Sequence, residues 1–153
     1  MKTIQIQIDA GKQGPAPQAP YDLNSTLPVA LWRGEPVQIA VSLFSDDTTV
    51  ATVSGVAEIK LEISPDAAHT TPDFTQTIEA ADPEWDDTIT SGDWTAGTAQ
   101  HAIFAIAKGD IAPTMSGADV VTAWLRIVML DGTDWVVLCN GPITVHEAGA
   151  WPV

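Results

Sequence analysis

From Val120 to Leu130 the residues Val121, Ala123, Leu125, Ile127 and Met129 form one wholly apolar face at period two. A period of two is a strand's period, and it scatters the same residues around a helix. A turn follows at Asp131-Gly132-Thr133-Asp134, after which Trp135 to Val145 returns. Gly at the first central turn position suits a II′ hairpin, whose twist matches the strands it joins. That turn sets Met129 opposite Val136 and Ile127 opposite Leu138, and lays Trp124 over Gly141. The closing third is therefore predicted to be an antiparallel hairpin whose residues are committed to packing.

Earlier segments repeat the pattern. Ile4, Ile6 and Ile8 alternate with Thr3, Gln5 and Gln7 in a short half-buried strand. Residues 11–20 then carry Gly and Pro breakers and no apolar face, which reads as an extended arm or long loop. Pro28 to Trp32 is a short strand, and Arg33-Gly34-Glu35-Pro36 a turn. Val37, Ile39, Val41 and Leu43 alternate with Gln38, Ala40 and Ser42, a strand expected to be buried on one side. Ala57, Ile59, Leu61 and Ile63 make another, and Phe74 to Ala80 a weaker one. Gln100 to Ala107 points Phe104 and Ile106 inward. Strands at near-regular spacing with turn chemistry between them predict an all-β fold: an antiparallel, immunoglobulin-like β-sandwich of about eight strands with a long N-terminal arm. The expected organisation is strand and arm over 1–26, sandwich over 27–147 and a tail over 148–153.

A chain of 153 residues is long enough to bury one sizeable core. Its 45% apolar and 17% charged composition argues against disorder. Lys and Arg total 6 against 20 Asp and Glu, for a net charge of −14. Phosphate backbones and anionic membrane surfaces would repel such a chain, so neither nucleic acid nor membrane is an expected partner. No apolar run approaches the roughly 18 residues of a membrane span. The opening residues alternate instead of forming an apolar block, so no signal peptide is expected and synthesis is placed in a cytoplasm. Cys139, without a second cysteine, is expected to be a small buried hydrophobe on the face of Trp135 and Val137.

Chemically armed patterns are sparse. His69, His101 and His146 lie in a loop, at a strand start and at a strand end, and no glycine-flanked serine elbow accompanies them. The spacing of histidines around a single cysteine is not a zinc pattern, and no phosphate-cradling glycine loop occurs. No catalytic residue, metal or cofactor is therefore expected. The most polar stretch, Asp82 to Gly97, is the one constellation with ligand potential. Asp82, Glu84, Asp86 and Asp87 offer oxygens of the kind calcium takes, without the spacing of the twelve-residue calcium loop. Trp85 and Trp94 with Asp86, Asp87 and Asp93 suggest a second possibility, a carbohydrate-binding loop in which rings stack on sugars and carboxylates take hydroxyls. Trp124 and Trp135 are expected to pack on the hairpin. Trp151 lies in the tail, where an aromatic calls for cover from its own domain or from a partner.

Four segments occur in order: Leu27-Pro28-Val29-Ala30-Leu31-Trp32-Arg33-Gly34-Glu35 entering a strand, the Ile59-Lys60-Leu61-Glu62-Ile63 strand, Trp94-Thr95-Ala96-Gly97-Thr98-Ala99-Gln100-His101-Ala102 entering another, and the closing strand, Asp-Gly turn and strand from Ala123 to Val145. Together they resemble small β-sandwich structural proteins of tailed bacteriophages, including N-terminal modules of tail fibres and upper baseplate proteins. The resemblance covers roughly residues 27 to 147. It implies a non-enzymatic virion part, made in the host cytoplasm, that attaches to other virion proteins as a homo-oligomer. The sequence closes shortly after its last strand, without a fibre shaft, so an adaptor, fibre-attachment, head-decoration or tail-accessory subunit is the expected form. Ile4, Ile6, Ile8 and Trp151 are the expected interface residues. The first strand either joins its own sheet or pairs with a neighbour's edge, and residues 9 to 27, at about 3.1 Å per residue extended, span on the order of 50 Å.

Overall fold

The computed structural model describes residues 2–9, 20–23, 25, 27–44, 56–89, 100–107, 110–111 and 120–147. Within them the strands are β1 (Lys2–Asp9), β2 (Tyr21–Asp22), β3 (Leu27–Pro28), β4 (Ala30–Trp32), β5 (Val37–Phe44), β6 (Val56–Ser64), β7 (Phe74–Glu79), β8 (Ala102–Ile106), β9 (Val120–Asp131) and β10 (Asp134–His146). One sheet runs β1-β5-β8, a second β4-β10-β9-β6-β7, and β2 pairs with β3 alone. The β5–β8 pair facing a β6-β9-β10 group is the strand pairing of an immunoglobulin-like sandwich, with β7 beside β6 as the added strand.

The alternating residues explain the layering. Ile4, Ile6 and Ile8 of β1, Ile39, Val41 and Leu43 of β5, and Phe104 and Ile106 of β8 form the inward rows of the first sheet. Ile59, Leu61 and Ile63 of β6, Leu125, Ile127 and Met129 of β9, and Ile143 and Val145 of β10 form those of the second. All belong to one continuous apolar core. Each such fully buried side chain contributes about 1.5–3 kcal/mol relative to exposure, so these rows, and not any single contact, hold the layers together.

Several expectations are corrected. The sandwich is mostly but not wholly antiparallel: β1 runs parallel to β5, with Ile6 beside Val41, and β4 runs parallel to β10. A parallel pair needs a long crossover instead of a tight turn, and the residues between β1 and β5 supply the length. β1 is thereby an edge strand of the β1-β5-β8 sheet. β5 is buried on both faces, since Ala40, Ser42 and Phe44 are as enclosed as Ile39 and Val41. The short strand expected at Pro28 to Trp32 is divided at Val29 into the ends of β3 and β4.

The closing hairpin has the expected turn. Gly132 takes φ +66°, the left-handed value that the first central position of a II′ turn requires. Met129 faces Val136 as expected. A bulge then lies between Val137 and Cys139, so Ile127 faces Cys139 instead of Leu138, and Trp124 faces Pro142 instead of Gly141. The extra residue lets both Leu138 and Cys139 be buried. Cys139 thus lies on the inner face, away from the half-buried Val137 and from Trp135, which is 48% exposed and not packed as expected.

Candidate functional site

The arm strand is placed first by its alternation. Ile4, Ile6 and Ile8 are fully buried, opposite Ile39, Val41 and Leu43 respectively in the β1–β5 ladder. In this arrangement they are core residues and offer no surface to a neighbour. The Lys2 ammonium lies 5.4 Å from the Trp32 ring centre. Trp32 in turn stacks on His146, its partner in the β4–β10 ladder, with ring centres 4.4 Å apart and planes 9° from parallel. A cation and two rings thus meet where the start of β1 lies near the ends of β4 and β10. Trp151 and residues 10–19 of the arm lie outside the described residues.

The acidic loop is built differently from the expectation. Trp85 is only 9% exposed, because its backbone bridges Ala102 and places it in the core. The Ile103 N–H donates to the Glu84 carbonyl (3.1 Å) and the Asp86 N–H to the His101 carbonyl (2.8 Å), so residues 84–86 run alongside β8 as a short added edge. The Trp85 ring packs 6.0 Å from the His101 ring. A buried ring cannot stack on a sugar, so the glycan reading loses Trp85; Asp93 and Trp94 lie outside the described residues. The carboxylates do not converge either. Asp82 accepts the Glu79 N–H (2.7 Å), and Asp86 accepts the Thr88 hydroxyl (2.6 Å) and N–H (2.8 Å). These bonds from Thr88 hold Asp86 below the ordinary carboxylate range. Asp87 is exposed beside them. Among the described residues no three His, Cys, Asp or Glu side chains gather to hold a metal ion.

Three polar arrangements were not legible in the sequence. His101 is enclosed, and its Nδ1 accepts the Leu43 N–H at 3.0 Å, so the imidazole ties the start of β8 to the end of β5. On the second sheet, Glu62 of β6 lies directly opposite Arg126 of β9, and one carboxylate oxygen takes both Nε (3.1 Å) and Nη2 (2.8 Å).

The third arrangement is the β6–β7 loop. His69 Nε2 meets Asn140 Oδ1 at 3.1 Å, while Asn140 Nδ2 donates to the Ala67 carbonyl at 3.1 Å. That carbonyl can only accept, which fixes the amide's orientation and makes Nε2 the donor. Ser64 donates its hydroxyl to Asp66 (2.7 Å), and Asp66 also takes the Thr70 hydroxyl (2.9 Å). The hydroxyl of Ser64 is thus directed at a carboxylate, and His69 is turned toward an amide on β10. Asp66 is held below the ordinary carboxylate range, first by Ser64 and then by Thr70. The signal for these sites is register: once β6, β9 and β10 are aligned, Glu62, Arg126 and Asn140 fall in one row.

No family model matches the chain, and no curated protein matches it. Among the described residues no helix is long and apolar enough to cross a membrane.

Proposed function

We propose that the chain is a non-enzymatic structural subunit of a tailed-phage particle, an adaptor, fibre-attachment or head-decoration part that acts through protein–protein contacts. The observation that carries this reading is the β2–β3 hairpin. Tyr21 pairs with Pro28 and Asp22 with Leu27, and Tyr21 and Leu27 are more than half exposed on it. The hairpin is fixed to β1 by a bond from the Leu23 N–H to the Gln5 carbonyl. Large apolar side chains held outward on a fixed scaffold are contact material for another protein. The half-exposed Trp135 with the Lys60 ammonium 4.7 Å from its ring centre offers a second anchor of the kind enriched at interfaces. The resemblance to phage sandwich modules supplies the class of partner, other virion proteins, and a homo-oligomeric habit. The acidic balance disfavours nucleic acid as a partner.

Mass-spectrometric inventory of purified particles tests this. The chain is expected at a fixed copy ratio to other virion proteins, surviving a high-salt wash, and Leu27→Asp is expected to lower its incorporation without unfolding it. A chain that stays wholly in the soluble fraction of the lysate contradicts the proposal.

A further inference from the structure

We propose that His69 is an acid-released latch: its neutral imidazole ties the β6–β7 loop to β10, and protonation at Nδ1 sets that loop free. The geometry assigns the tautomer. Nε2 carries the proton because it donates to Asn140 Oδ1, so Nδ1 is a bare lone pair. His69 is only 6% exposed, and Nδ1 is buried with no hydrogen-bond partner among the described residues. A proton added there becomes a buried donor facing no acceptor, and it brings a charge out of water.

The charged groups facing the ring come from each neighbouring element. Arg126 of β9 opposes a second positive charge. Glu62 of β6 and Asp66 of the loop itself favour one, but Glu62 is engaged by Arg126, and Asp66 by Ser64 and Thr70. Burial is the larger influence and pushes the His69 imidazole below its ordinary value. The backbone adds a reason for the loop to leave. His69 has φ +54°, a left-handed conformation that an L side chain keeps only while its surroundings enforce it. The Nε2–H bond to Asn140 is kept on protonation and favours the charged ring, so it opposes release, but burial outweighs it, and relief of the backbone acts with burial. Release would uncover Asn140 and the adjoining end of the Glu62–Arg126 row.

Amide exchange by NMR on the full chain tests the latch, with rates corrected for the intrinsic effect of pH. The reporters are the amides of His69, bonded to the Asp66 carbonyl, and Asp73, bonded to the Ile63 carbonyl. Between about pH 7.5 and about pH 5 their protection is expected to fall roughly tenfold or more, while β9 and β6 amides keep theirs. Asp66 stays ionised over this range, because its carboxyl is held below the usual value. His69→Gln, which can still donate to Asn140 but does not titrate, is expected to abolish the change. Protection that is independent of pH in the native chain overturns the proposal, as does an undiminished pH response in His69→Gln. A ring-nitrogen spectrum at about pH 7.5 guards against a variant that fails to fold: the Nε2–H tautomer of His69 is expected in the native chain, and the Nδ1–H tautomer or imidazolium contradicts the latch.

Discussion

Glu62 and Arg126 occupy directly opposed positions on β6 and β9, and Glu62, whose carboxylate receives the guanidinium, is only 7% exposed. The pair sits on the outer face of the five-stranded sheet, yet the acid is nearly enclosed. Removing the cation leaves a carboxylate with little water and no opposite charge. Arg126→Met is therefore expected to cost about 2–3 kcal/mol, at or below the range for fully enclosed pairs because a quarter of the arginine side chain is exposed. Replacing both residues, Glu62→Leu with Arg126→Met, is expected to recover most of that loss. Urea denaturation of the three chains checks it, and a double variant less stable than the single one would contradict it.

Cys139 owes its burial to the bulge. Burial pushes its thiol up to about 12, so almost no thiolate exists near neutral pH. A thiol reagent is expected to leave the folded chain unmodified for hours and to modify it at once in denaturant. Cys139→Ser is expected to cost about 1–3 kcal/mol through a hydroxyl placed among apolar side chains. Rapid labelling of the native chain would show that the bulge opens.

At Gly132 the cost of a side chain is conformational. A Cβ there would meet nothing within 4 Å, but φ is +66°. Gly132→Ala is expected to destabilise by about 1–2 kcal/mol, with Gly132→Asn milder because Asn tolerates left-handed backbone. A thermal melt that is unchanged in the alanine variant would mean the turn is not II′.

The stability of the fold also carries the sign of His69. Its folded value is depressed below the ordinary 6.5, chiefly by burial. Below that ordinary value the unfolded chain binds a proton that the folded chain resists. The contribution is thus fully present above the unfolded value and is lost as pH falls through the folded one. Urea midpoints for the native chain are expected to fall between about pH 7.5 and about pH 5 more steeply than for His69→Gln. Parallel profiles would contradict it.

What could be read from the sequence followed from local periodicity. The rows Val121 to Met129 and Ile59 to Ile63 are inward in the fold because a period of two states which side faces the core. Gly132 was legible because only a residue without Cβ suits that turn position. The bulge was not: an inserted residue leaves no mark on composition, and it displaced every pairing beyond Val137 by one. Nor was the partner of β1, since Ile4, Ile6 and Ile8 alternate equally well beside any strand. Trp85 misled for a related reason. Its acidic neighbours suggested exposure, whereas a bridge to Ala102, far along the chain, carries it inside. Local chemistry names the face of a strand and cannot name its neighbour.

The side chains of this protein go into closing its own two-layer core, with β1 as a member. Ile6 beside Val41 is the decisive contact, since a strand lent to another subunit would make the same pairing in trans. Isotope-filtered NMR on an equal mixture of labelled and unlabelled chains, refolded together, distinguishes the two. Contacts between Ile6 and Val41 are expected within single chains only; such a contact between a labelled and an unlabelled chain would contradict this.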